Sequence, residues 1–110
     1  MRDQYCVFCN IIAGEIPAPI VARNEHAVAF ADRSPQAPVH LLVVPTQHIV
    51  SYNHLPAQWH DTIIGMTALI TQLAQTHGNA RDHGFNLKVN TGASAGQEVF
   101  HMHWHFLAGK

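Results

Sequence analysis

The chain has 110 residues and ten histidines, while Lys, Arg, Asp and Glu together make up only 12% of it. That length suits one domain over residues 1–110 with a single hydrophobic core, and it leaves no room for a second. Six basic against seven acidic residues give a formal charge of -1, and the basic ones (Arg2, Arg23, Arg33, Arg81, Lys88, Lys110) are scattered, so nothing resembles a footprint for a nucleic-acid polymer. No apolar run approaches the ~18 residues that a bilayer crossing requires, and the polar start MRDQYCVFCN lacks the hydrophobic stretch of a signal peptide. A cytoplasmic protein without a membrane partner is expected.

In chain order, residues 10–13 have the character of a short helical turn, ended by Gly14 and kept short by Pro17 and Pro19. Residues 20–22 restart as a strand. Val28 and Phe30 alternate with alanines over 27–31, and 39–44 is a continuous apolar, β-branched run closed by Pro45. These predict two strands joined by the turn Asp32-Arg33-Ser34-Pro35. Trp59, Ile63, Met66, Ile70, Leu73 and His77 recur at steps of three and four, the period of one face of a long helix, with Pro56 suited to its first turn and Gly78 to its C-cap. Trp59, Met66 and Ile70 read as core, and Gly65 as a place where a partner helix could approach closely. Phe85, Leu87 and Val89 then alternate with Asn86, Lys88 and Asn90, and after a glycine-bearing loop residues 100–107 read as the last strand. Strands around one main helix predict an α+β fold with an antiparallel sheet.

The densest feature is His101-Met102-His103-Trp104-His105-Phe106. Successive strand side chains point to opposite faces, so the three imidazoles share one face while Met102, Trp104 and Phe106 take the other. One face packs and the other is free for chemistry. Burying three adjacent imidazoles without partners is costly, which disfavours a purely structural role. Two chemistries fit: a three-histidine catalytic zinc with an open position for water, or a nucleophilic central histidine whose neighbours orient it and hold developing charge. The loop 91–98, rich in small residues, favours the second, because its backbone N–H groups could approach a phosphate closely.

These residues resemble the histidine-triad signature of the HIT family. The resemblance runs from Cys6-Val-Phe-Cys9-Asn-Ile-Ile-Ala-Gly-Glu-Ile-Pro17, through Ala29-Phe30-Ala31-Asp32-Arg33-Ser34-Pro35-Gln36-Ala37-Pro38-Val39-His40 and Pro45-Thr-Gln-His48, to Asn90, Gly96-Gln97 and the triad with Leu107. It implies a short, HINT-like nucleotide hydrolase or transferase, with a five-stranded antiparallel sheet, two helices and a homodimer whose sheets join. By the same resemblance His103 attacks the α-phosphorus of a purine nucleotide, an AMP or GMP derivative, to give a nucleotidyl-histidine that water resolves. His105 then contacts the phosphate, His101 completes the triad and His40 supports it. Asp32 would hold the ribose hydroxyls, with Asn90, Gly96, Gln97, Glu98 and Val99 along the phosphate. Glu98 departs from the serine that the best-known phosphoramidases carry there, and implies either a carboxylate turned away or a cationic leaving group. The chain ends at Lys110, so the C-terminal segment that shapes the site in eukaryotic members is expected to be missing. Dinucleoside polyphosphate cleavage, nucleotidyl transfer, and a nucleotide-binding interaction module with little turnover are the alternatives.

Cys6 and Cys9 form a C-x-x-C pair at the N-terminus, away from the βαβ setting of a thioredoxin-like motif, so metal binding is favoured over redox chemistry. Two thiolates and two histidines complete a tetrahedral zinc site. The resemblance to zinc-binding bacterial relatives implies Cys6, Cys9, His48 and His101 as ligands, and four protein ligands make that zinc structural. His26, His54, His60, His77 and His83 read as surface or capping residues. Phe8, Ile12 and Ile20 read either as core or as the lining of a base pocket.

Overall fold

The computed structural model describes residues 3–77 and 80–109. Its elements follow as α1 (Val7–Ile12), β1 (Ile20–Arg23), β2 (Ala27–Ala31), β3 (Val39–Pro45), α2 (Trp59–Thr76), α3 (Ala80–His83), β4 (Asn86–Val89) and β5 (Trp104–Ala108). All strand pairs are antiparallel, in the order β1-β2-β3-β5-β4. The first three strands form a meander. Asn24 makes its first turn by accepting the His26 and Ala27 N–H groups on Oδ1, both at 2.9 Å, an Asx turn of the kind this residue favours. From β3 the chain crosses by way of α2 to the far edge, and β5 returns between β3 and β4.

The register divides the sheet into two faces. Leu41 and Val43 pair with Phe106 and Trp104, while His40 and Leu42 pair with Leu107 and His105. The first set, with Ala27, Ala29 and Met102, packs beneath α2 through Met66, Leu69, Ile70 and Leu73. Burying each of those large side chains is worth about 1.5–3 kcal/mol relative to leaving it exposed. The second face, built on Val28, Phe30, Leu42 and Val44, is covered by Phe8 and Ile11 of α1. The imidazoles emerge on this α1 face.

Four sequence expectations need correction. The α2 stripe is rotated: Leu69 and Ala74 are buried with Met66, Ile70 and Leu73, whereas Trp59 is 39% exposed. Gly65 faces inward, where an added Cβ would lie 2.6 Å from His26 Cβ, and its carbonyl accepts from Asn24 Nδ2 at 2.8 Å. Its smallness therefore seats α2 on the β1–β2 turn of the same chain and offers no surface to a partner helix. The last strand starts at Trp104, not at residue 100, because β4 ends at Val89 opposite Trp104. Before that point the chain leaves the ladder and is held by the Met102 N–H on the Ile49 carbonyl at 2.6 Å. Finally, α3 adds a short third helix to the two expected. The expected cap Gly78 lies outside the described residues.

Candidate active site and metal centre

Backbone groups fix the protonation of the histidines on the α1 face. His103 Nδ1 lies 2.8 Å from the His101 carbonyl oxygen; a carbonyl only accepts, so Nδ1 carries the proton and Nε2 keeps the lone pair. At His40 the polarity is opposite. The Gln36 N–H donates to His40 Nδ1 at 3.0 Å, which puts the proton of the neutral ring on Nε2. That Nε2–H donates to His105 Nδ1 at 2.9 Å, with Asp32 Oδ2 3.4 Å away. His105 then carries its own proton on Nε2 as a donor. Because Leu42 is the register partner of His105, and His40 that of Leu107, the two rings are diagonal neighbours on one face.

Burial favours the neutral forms of His103 and His105. It is the largest influence lowering the pKa of His103, against the opposing pull of the His101 carbonyl and the Asp32 carboxylate. For His105, burial, reinforced by the neighbouring imidazoles and Lys88, lowers it to about 4. Phe8 lies edge-on to His103, ring centroids 5.1 Å apart, and to Phe30 at 5.4 Å. It belongs to the core and also lines the cavity beside the imidazoles. Ile12 and Ile20 pack against the α1-side core.

The cavity, about 1110 Å³, is lined by Asp32, His40, Asn90, Gly96, Glu98, Val99, His103 and His105 among others. Asp32 Oδ1 accepts the Ser34 N–H at 2.8 Å, which orients the carboxylate at the strand end. Asn90 Nδ2 donates to the Ala95 carbonyl at 2.8 Å. Gly96 is required twice over: its φ is +94°, and a Cβ there would sit 3.3 Å from Asn90 Nδ2. Gln97 stands apart from the other sequence-predicted contacts. Its Oε1 accepts the Gly92 N–H at 2.9 Å and its Nε2 donates to the Val50 and Val99 carbonyls at 2.7 and 3.0 Å. This buried side chain clamps the loop and does not line the cavity. Within the loop, the N–H groups of Ala95, Gly96 and Gln97 are bonded to the Gly92 and Ala93 carbonyls.

On the other side of Phe8, Cys6, Cys9, His48 and His101 bring four donor atoms within 4.8 Å of one another. Cys6 Sγ and Cys9 Sγ lie 3.3 and 3.5 Å from His101 Nδ1, and Cys9 Sγ lies 3.3 Å from His48 Nδ1. Around a tetrahedral zinc with ordinary Zn–S and Zn–N bonds, sulfur and nitrogen ligands sit about 3.6 Å apart. The donor set therefore fits with small adjustments. His101 Nε2–H donates to the Pro45 carbonyl at 2.8 Å, which leaves the Nδ1 lone pair toward the thiols, the outer hydrogen bond that ligating histidines ordinarily make. Burial lowers the His101 pKa to about 4 and raises that of Cys6 to about 11.

Asp32, His40 and His105 also place three donor atoms within 4.8 Å, a two-histidine, one-carboxylate set. Gln36, however, forces the proton of neutral His40 onto Nε2, the atom a metal would need. This cluster is thus a hydrogen-bond chain. Among the remaining histidines, His54 bonds Ser51, His77 bonds Thr76, and His60 stacks on Trp59.

Among known proteins, the HIT domain family matches residues 13–110 of the chain. The purine nucleoside phosphoramidase of Escherichia coli (strain K12) is 38% identical over 104 residues, covering 94% of this chain and 87% of the relative. A histidine triad protein from Clostridium difficile superposes with a TM-score of 0.93 at 39% identity, over 100% of this chain and 95% of that one. A Zn-bound histidine triad family protein from Mycobacterium smegmatis gives a TM-score of 0.82 at 32% identity, covering 97% of this chain and 76% of the other. The chain belongs to the HIT domain family. Among the described residues no helix is long and apolar enough to cross a membrane.

Proposed function

We propose that this protein is a hydrolase that cleaves a substituent, an amine in the favoured case, from the phosphorus of a purine nucleoside 5'-monophosphate (an AMP or GMP derivative) through a nucleotidyl-histidine on His103. One observation carries the reading: the His101 carbonyl holds the Nδ1 proton of His103, leaving a basic Nε2 in a cavity that also presents Asp32 and the His105 N–H donor. In the first half-reaction Nε2 bonds to phosphorus, and the phosphorus–nitrogen bond of the substrate breaks. The amine leaves with the bonding pair and takes up a proton, while the charge gained by the imidazole is shared with the His101 carbonyl. A water then adds to phosphorus and loses a proton, and the bond to Nε2 breaks. The products are the nucleoside monophosphate, free amine and neutral His103. His105 stabilises the phosphoryl oxygens with its Nε2–H, and His40 fixes that tautomer. Exposed Glu98 on the cavity wall repels a polyphosphate leaving group and suits a cationic amine, in keeping with the phosphoramidase relative from Escherichia coli.

Asp32 is assigned to the ribose hydroxyls. Ribonucleotide substrates should exceed their 2'-deoxy analogues by about tenfold in kcat/KM, and Asp32→Asn should erode that ratio. Equal specificity constants for the two sugars in the wild type would remove Asp32 from the sugar site.

The assembly assigned is a homodimer with a continuous sheet. Leu87 and Val89 on edge strand β4 are 48% and 36% exposed on the α2 side, Ile64 on α2 is 66% exposed, and Asp61 is the one charged residue of that helix. An unprotected edge with apolar neighbours is a template for strand pairing. Sedimentation should give twice the chain mass for the wild type and a monomer for Leu87→Lys; a monomeric wild type excludes the dimer.

A further inference from the structure

Nucleophilic attack on a phosphoryl group concentrates negative charge on its non-bridging oxygens, where a fixed cation of the protein is worth most. The two cationic side chains lining the cavity are Arg33, in the turn after Asp32, and Lys88. Lys88 is on the edge strand β4 and is the direct register partner of His105 on β5. Directly opposed residues of an antiparallel pair put their side chains on the same face, with Cβ atoms about 4.5–5.5 Å apart. Its ammonium therefore belongs to the His105 end of the cavity.

All four residues of β4 are exposed, and what separates its two faces is what they border. Leu87 and Val89, on the α2 face, are substantially exposed, whereas Lys88, on the α1 face, borders the cavity. No Lys88 ion pair occurs among the described residues, so the ammonium is uncommitted beside the proposed phosphate donor. We infer that Lys88 is a phosphate-binding residue of this site, pairing with a non-bridging oxygen of the nucleotide's phosphoryl group next to His105. The inference rests on the nucleotide reading above. It adds a role beyond the triad, and it divides the labour on the phosphoryl group: Lys88 supplies charge, His105 supplies a directed hydrogen bond, and His103 supplies the nucleophile.

The test compares phosphate-bearing and phosphate-free ligands in the whole protein. Calorimetric dissociation constants for AMP and GMP, and for adenosine and guanosine, would be measured for wild type, Lys88→Met and Lys88→Arg at low and raised salt. Lys88→Met should weaken both monophosphates about tenfold, as expected for losing one partly solvated charged contact. Both nucleosides should be unaffected, the salt dependence should become shallower, and Lys88→Arg should recover most of the affinity. Unchanged monophosphate affinity in Lys88→Met would overturn the assignment. So would an equal loss for nucleoside and nucleotide, or a loss accompanied by a change in sedimented mass, since each marks a merely structural effect. A wild type that binds neither monophosphate nor nucleoside would overturn the nucleotide reading together with this inference.

Discussion

His103→Ala is expected to lower kcat by at least about a thousandfold while affinity for a purine nucleoside monophosphate stays within about tenfold. The asymmetry follows from the division of contacts. In the proposed reading, binding draws on Asp32, Asn90, His105 and the apolar wall around Phe8, whereas Nε2 of His103 is the atom proposed to bond phosphorus. Rapid-quench labelling should trap a nucleotidyl adduct in the wild type and none in the variant; turnover near the wild-type rate in the variant removes the mechanism. The same nitrogen sets the acid limb of the pH profile. An unperturbed imidazole would place that limb near pH ~6.5, but burial lowers the His103 value, so activity should hold through 6.5 and decline only at more acidic pH. Unfolding must be separated from titration. His101 and His105 are held to about 4 in the folded chain, so as pH is lowered from ~6.5 to 4 the unfolded state binds more protons and stability is progressively lost. Circular dichroism at each pH identifies the range in which the protein remains folded. An acid limb at or above 6.5 in folded protein contradicts a buried neutral nucleophile.

Legibility in the sequence tracked how local each signal was. The β2 alternation of 27–31 and the apolar run of β3 are properties of single strands, and both elements form within a residue of expectation. Alternation also divided Met102, Trp104 and Phe106 from the imidazoles, because side-chain direction needs only extended backbone, even where the ladder has not yet begun. What escaped was set by distant backbone atoms. Gln36 controls the His40 tautomer through a main-chain N–H, and Pro45 and His101 act through carbonyls; such contacts carry no side-chain signature. Gln97 appeared as a phosphate contact because it stands in the signature, yet its amide is spent on three backbone partners. Lys88 has no sequence signature of a site residue, because alternation does not say which face of an edge strand borders a cavity. Here the polar side of β4 is the cavity side.

Cys9→Ser is expected to lose a bound zinc and to lower Tm by roughly 10 °C or more, since metal held only by the folded state adds directly to its stability. The four donors come from α1, from the segment after β3 and from the residues just before β5. In closing them the ion would tie α1, whose Phe8 walls the cavity, to the segment that carries His103. Without metal, Cys6 is poorly placed to ionise, with burial holding its thiol near 11; ligation has to displace that proton, so zinc affinity should weaken as pH falls. The metal and the nucleophile meet at His101 through different atoms. Its ring Nδ1 faces the thiols, while its backbone carbonyl holds His103, and the Pro45 carbonyl still fixes the ring when the metal is gone. Consequently kcat per folded molecule in Cys9→Ser should fall by less than about tenfold, measured at a temperature well below its lowered Tm. Elemental analysis of the wild type should give one zinc per chain. Metal-free wild-type protein, as stable as the variant and equally active, leaves Cys6 and Cys9 as ordinary thiols. If chelation stops turnover while circular dichroism shows the fold intact, the zinc is part of the chemistry and its purely structural assignment fails.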